Sequence, residues 1–261
     1  STLDRSSAAS DVYKRQTQAD QDVIDSFSKV NQTFYFNPNS PHLAGLQAEQ
    51  LLLKAKDEIN RVLRLNHRYE IIFTSGATES NNMALKGVAY RKRENANEII
   101  TSVLEHPSVL EVMRYLEAKQ GFKLKYVNVT ENGKVDVDHL KSIMTDKVGL
   151  VTCMYVNNVM GQIQPIQAIA NLLADYPRAH FHVDGVQALG KISMNFKGID
   201  SLSLSGHKFN GLKGQGLLLI KNTQNIEPII HGGGQEYGLR SGTITVSYTH
   251  LTLPTSDLVE I

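Results

Sequence analysis

The sequence has 261 residues with 27 basic and 26 acidic side chains, a formal net charge of +1, and a single cysteine. A balanced charge excludes nucleic acid or an anionic membrane as the main partner, and one cysteine excludes an internal disulfide framework and any multi-cysteine metal site. No apolar run approaches the ~20 residues of a membrane span and no signal-peptide pattern opens the chain, so the expectation is a cytoplasmic protein in a reducing setting.

Residues 1–16 (STLDRSSAASDVYKRQ) and 247–261 (SYTHLTLPTSDLVEI) are rich in Ser and Thr, lack periodicity and read as non-native tails resembling adapter sequence. That leaves 17–246 as the expected folded domain, with an N-terminal helical segment. From about residue 44, Ala48, Leu51, Leu52, Ala55, Ile59, Val62 and Leu63 recur at helical spacing. The pattern then switches to short apolar runs that predict strands: EIIFTSG (70–76), EIITSV (98–103), KLKYVNV (123–129), VGLVTCMYV (148–156), HFHVDG (180–185) and GLLLIK (216–221). Residues 201–206, SLSLSG, alternate as a half-buried strand does. Helical stretches lie between several of these: TESNNMALKGVAYRKR, PSVLEVMRYLEAKQ closed by Gly121, and PIQAIANLLADY. Such alternation predicts a three-layer α/β/α fold around a mostly parallel sheet, with ligands at the carboxyl ends of the strands.

The residues at those ends carry chemistry. Ser75, Gly76, Ala77 and Thr78 open a helix whose free N–H groups and neighbouring hydroxyls suit a phosphate, though the same residues also suit a helix cap without a ligand. Glu105-His106 brings an imidazole to the same edge, or simply a polar loop residue. Asn157 and Asn158 follow another strand, as amides for a ligand or for a turn. Asp184 ends the HFHVD strand with Gln187 three residues on, and SLSLSG delivers Ser205, His207 and Lys208. A lysine in a partly desolvated pocket forms a Schiff base, and a carboxylate keeps a pyridine nitrogen protonated. An imidazole covers a flat ring and moves protons. Pyridoxal phosphate is the one cofactor that needs all of these. His180, His182 and Asp184 share a strand face and also suit zinc, but a metallohydrolase leaves Lys208 unexplained, and no metal is expected. Cys153 sits inside an apolar strand and reads as a small hydrophobe.

The segments FTSGATESNN, EHPSV, MYVNN, HVDGVQALGK, SLSGHK with GLKGQG, and GGGQEYGLRSGT, in that order and spacing, resemble the motifs of the cysteine desulfurase family. This is the class V branch of the fold-type I pyridoxal-phosphate enzymes, and NPNSPHLAG near residue 37 is similar to its N-terminal segment. The resemblance implies the large domain of a fold-type I transferase that binds pyridoxal 5'-phosphate. It implies conversion of L-cysteine to L-alanine, with sulfur held as an enzyme persulfide and passed to an acceptor protein, as in iron–sulfur cluster biosynthesis. Lys208 is then the lysine that joins the cofactor's aldehyde, Asp184 the partner of the pyridine nitrogen, and His106 the ring-stacking residue that shares proton transfer with Lys208. Asn157 and Gln187 touch the ring substituents, and Ala77, Thr78, Ser205 and His207 surround the phosphate. Thr243 reaches the phosphate of a partner subunit, which implies a homodimer.

Three departures from the family's pattern bear on function. Val159 replaces a usual acidic residue. Residues 1–16 stand in place of the family's N-terminal segment. The small C-terminal domain, with its nucleophilic cysteine and the arginine that grips the substrate carboxylate, is missing, so this chain alone is expected to have little or no desulfurase activity. Selenocysteine lyase or another class V lyase or aminotransferase is the alternative within the enzymes, and a non-enzymatic binding fragment the alternative outside them.

Overall fold

Strands form at aliphatic runs, where both faces of the sheet are covered, and also at the alternating stretches KLKYV, HFHVD and SLSLS. They are β1 (Glu70–Thr74), β2 (Glu98–Ser102), β3 (Lys123–Val127), β4 (Val148–Met154), β5 (His180–Asp184), β6 (Ser201–Ser205) and β7 (Gly216–Ile220). The computed structural model describes residues 17–246. The two expected non-native tails, 1–16 and 247–261, lie outside the described residues.

The helices are α1 (Gln21–Thr33), α2 (Leu43–Val62), α3 (Ala77–Lys92), α4 (Pro107–Gln120), α5 (Val137–Ile143) and α6 (Ile166–Leu173). Apolar spacing predicts α2, α3, α4 and α6. It misses α1 and α5, whose stripes are short: Val23, Phe27 and Val30 in α1 and Val137, Leu140 and Ile143 in α5, with only Val23 and Leu140 buried. Gly121 ends α4 in the left-handed region at φ +76°, a conformation that costs glycine nothing.

The sheet order is β1-β7-β6-β5-β4-β2-β3. All neighbours are parallel except β7, which runs antiparallel to both β1 and β6. On one face α3 and α4 pack Met83, Leu85, Val109 and Met113 against Ile72, Ile99, Leu150 and Leu218. On the other, α2, α5 and α6 pack Leu52, Ile59, Leu140 and Ile169 against Phe73, Phe181, Val183 and Leu202. Three layers result, as the alternation predicts.

One strand departs from expectation. The alternation in β6 predicts a half-buried strand, yet all five of its residues are buried. The serine face does not meet water; it meets polar groups beneath α3. Among the described residues, no helix is long and apolar enough to cross a membrane.

Candidate active site

The carboxyl ends of β1, β4, β5 and β6 open into one cleft of about 580 Å³, a volume usual for a small-molecule site. At β1 the chain turns through Gly76, at φ +153°, directly into α3. No side chain caps that helix. Its first-turn N–H groups, which have no intrahelical partner, therefore remain available at the cleft wall formed by Ala77 and Thr78, with the positive end of the helix dipole. Gly216, at the start of β7, is pressed against this turn: a Cβ there would lie 2.5 Å from Gly76 Cα. Glu79 also belongs to the wall. Its carboxylate accepts from the Ser75 N–H at 2.6 Å and from Arg240 Nε at 2.9 Å. Burial raises the Glu79 pKa, but the bonds from Arg240 and Ser75 prevail and hold it below the ordinary value. Glu79 thus stays ionised, with its charge offset by Arg240.

His106 is the N-cap of α4, with Pro107 at the first helical position. Its Nδ1 accepts from the Ser108 N–H at 3.1 Å and lies 2.8 Å from Ser108 Oγ, which fixes the ring at the rim of the cleft. Asp184, 6% exposed, closes β5 at the cleft. Its Oδ1 accepts from the Val186 N–H at 3.1 Å and its Oδ2 from Asn81 Nδ2 at 3.0 Å. Burial nevertheless raises its pKa above the usual aspartate value. Beyond β6 a single 3-10 turn, Gly206–Lys208, carries Lys208 half-buried into the same cleft. His207 Nδ1 lies 2.9 Å from Ser205 Oγ, and burial followed by the charges of Lys208 and Lys213 lowers its pKa. Gln187 lines the cleft with its Oε1 already accepting from Lys191 Nζ at 2.7 Å, which leaves its amide N–H groups for a ligand.

Beneath the cleft the polar groups are interior. His180 and His182 are fully desolvated, which pushes both pKa values down to about 3, so both rings are neutral. His180 Nε2 and both His182 nitrogens are engaged by Ser201 and Asn81, and no group of three His, Cys, Asp or Glu side chains among the described residues is placed to hold a metal. Glu105, next to His106, is buried; its Oε1 accepts from the Met154 N–H at 2.7 Å, and burial pushes its pKa up to about 8. Cys153 is 2% exposed, on the opposite sheet face from Met154, and burial raises its thiol pKa well above the ordinary value.

Of the residues singled out from sequence, the cleft gathers Ala77, Thr78, His106, Asp184, Gln187, Ser205, His207 and Lys208. Asn157 does not line it. That side chain is buried and fully engaged locally, Nδ2 donating to the Leu104 carbonyl at 3.1 Å and Oδ1 accepting from the Val159 and Met160 N–H groups, while Asn158 takes the place at the wall. Thr243 is exposed and outside the cleft. Sequence reasoning missed Asn81, Ser108, Lys213 and the Glu79–Arg240 pair. All except Lys213 act through hydrogen bonds to another residue, which leave no mark in a one-dimensional pattern.

Residues 14–252 match the family described as aminotransferase class-V. The NifS/IcsS protein homolog of Lactobacillus delbrueckii subsp. bulgaricus is 44% identical over 224 residues, 85% of this chain and 58% of that protein. The probable mitochondrial cysteine desulfurase of Dictyostelium discoideum is 44% identical over 233 residues, 87% of this chain and 51% of that protein. A solved structure described as SspA in complex with cysteine shares the fold at a TM-score of 0.87 and 33% identity, covering 94% of this chain and 71% of that one. The chain spans a little more than half the length of the two curated relatives. With the family's match running through every element of the sheet and both walls of the cleft, the chain belongs to the aminotransferase class-V family.

Proposed function

We propose that this chain is the cofactor-binding domain of a pyridoxal-phosphate-dependent cysteine desulfurase. The observation that carries the reading is convergence: Lys208, the buried Asp184 and the uncapped start of α3 face one cleft from three different strand ends. The donor set fits the cofactor. An anion meets the N–H groups of Ala77 and Thr78, the Thr78 and Ser205 hydroxyls and His207, while the Glu79 charge is offset by Arg240. Asp184 has two carboxylate oxygens held by donors and is oriented to accept from a pyridinium N–H. The relatives named as desulfurases, and a structural neighbour holding cysteine, support the substrate class.

Bound there, pyridoxal phosphate supplies an electron sink that stabilises negative charge at the substrate's α-carbon. Lys208 Nζ would hold the cofactor at its aldehyde and serve as the base for the substrate's α-proton. His106 would cover the ring and exchange protons through Nε2, because Ser108 occupies Nδ1. Gln187 donates to the ring's oxygen substituent. Sulfur passes to a thiolate other than Cys153, whose thiol is buried on the far face of the sheet. That nucleophile and the arginine for the substrate carboxylate are assigned to a small domain of the longer protein. The proposal includes a homodimer in which exposed Thr243 serves the partner's site, a sulfur-acceptor protein, and a reducing cytoplasmic setting.

Borohydride reduction of the chain with pyridoxal phosphate, followed by peptide mass spectrometry, tests the reading. One phosphopyridoxyl group on Lys208, abolished in Lys208→Ala, is the expected result. Absence of labelling, or labelling scattered over surface lysines of the folded chain, overturns it.

A further inference from the structure

A continuous set of hydrogen bonds runs beneath the cleft and has Asn81, fully buried in α3, at its branch point. Asn81 Nδ2 donates to Asp184 Oδ2 at 3.0 Å and to Ser108 Oγ at 2.9 Å. Asn81 Oδ1 lies 3.0 Å from His182 Nε2. Ser201 Oγ lies 2.8 Å from His182 Nδ1 and 2.8 Å from His180 Nε2. Ser108 Oγ lies 2.8 Å from His106 Nδ1.

Donor and acceptor roles along this set follow from one constraint. An ionised carboxylate only accepts, so the amide must turn Nδ2 toward Asp184. Oδ1 then faces His182, whose Nε2 must carry the proton. A neutral ring protonated at Nε2 has a bare Nδ1, which accepts the Ser201 hydroxyl proton. Ser201 Oγ in turn accepts from His180 Nε2–H. On the other branch Ser108 Oγ accepts from Asn81, so its own proton points to His106 Nδ1. Ser203 Oγ lies 3.4 Å from the same His182 Nε2, farther than Asn81 Oδ1, and accepts there with its own proton turned away.

We propose that Asn81 is a positioning residue of the active site: its amide holds the Asp184 carboxylate as an acceptor facing the cleft and, through Ser108, ties it to the His106 ring. The buried His182–Ser201–His180 string serves as the anchor that stops the amide from flipping. This inference rests on the reading of Asp184 and His106 as cofactor-facing groups. It adds the residue that couples the Asp184 carboxylate to the His106 ring.

The amide's orientation has a direct spectroscopic signature, since it dictates the tautomer of His182. Long-range 1H–15N correlation on the chain labelled with 15N-histidine, without cofactor, should show His182 protonated at Nε2 and bare at Nδ1. The opposite tautomer means a flipped amide with Oδ1 against Asp184, and overturns the proposal. Asn81→Leu supplies the second arm, as it keeps size but can neither donate nor accept. Its apparent Kd for pyridoxal phosphate should rise at least about tenfold, the cost of losing a hydrogen bond to a charged group. A folded Asn81→Leu chain that binds within about twofold of wild type shows mere space-filling and sinks the idea. Should that variant not fold, the wild-type tautomer decides. A wild-type chain that binds no pyridoxal phosphate defeats the functional reading instead, and the tautomer measurement is unaffected.

Discussion

β6 has two sides that behave as parts of different molecules. Leu202 and Leu204 join Phe73, Phe181 and Val183 in an apolar layer under α2, α5 and α6, whereas Ser201, Ser203 and Ser205 face the side of α3 and Asn81. β5 divides in the same way, Phe181 and Val183 against His180, His182 and Asp184. Both faces are buried, so the difference is not one of solvent. The dry face sets strand register by packing alone, and the wet-chemistry face can then carry buried polar groups whose hydrogen bonds require that register to be exact to a few tenths of an ångström. Stability and site geometry are thus separated onto opposite sides of five-residue strands.

The largest effect expected of a perturbation lies on the dry side. Phe181→Ala removes a fully buried ring and should cost about 3–5 kcal/mol of unfolding free energy. The ring belongs to the apolar cluster and the substitution leaves the backbone N–H bond to Asp200 in place, so urea midpoints measured at pH 5 and pH 8 should fall by the same amount. A loss that differs between the two pH values would mean that the faces are not independent.

Glu105 should behave in the opposite manner. Its pKa is about 8 in the folded chain against an ordinary 4.5, so between these values the native state keeps a proton that the unfolded state has lost. The stability contribution is full below about pH 4.5, declines as pH rises and is gone above about pH 8. Glu105→Gln is always neutral and keeps an acceptor for the Met154 N–H. Relative to wild type it should therefore gain roughly 3 kcal/mol between pH 5 and pH 8, read from urea midpoints across that range. Parallel pH curves for the two proteins would show that Glu105 is ionised in the folded state.

How much of this was legible in the sequence follows the same division. The dry face announces itself through aliphatic runs, and strand ends are visible where those runs stop, which is why Asp184, His106 and Lys208 could be picked out. The polar face misleads. Its serines imitate a solvent-exposed side because alternation reports polarity, not exposure, and Asn81 looks like any surface residue of α3. Glu79 and Arg240 meet across 161 positions, a pairing no local pattern reveals. Asn157 shows a further limit: a short amide after a strand is equally able to bind a ligand or its own backbone, and here the loop N–H groups of Val159 and Met160 take it.

The smallest expected effect is also the most informative about where sulfur chemistry can occur. Cys153 lies on the dry face, one residue before Met154, which lines the cleft. Its thiol is desolvated and its pKa is driven upward first by burial and then by Glu105, so almost none of the reactive thiolate exists at neutral pH. Cys153→Ala should cost only about 1–2 kcal/mol, the burial of one small apolar group, and leave cofactor labelling of Lys208 unchanged. In the folded wild-type chain the thiol should resist alkylation by iodoacetamide until urea is added. A persulfide found on Cys153 after incubation with cysteine and pyridoxal phosphate would put the nucleophile within the apolar layer and erase the separation between the two faces. Resistance to both reagents keeps Cys153 a packing residue of the apolar layer; on the proposed function the sulfur-accepting thiol is then supplied from the open side of the cleft, where His106 and Lys208 stand.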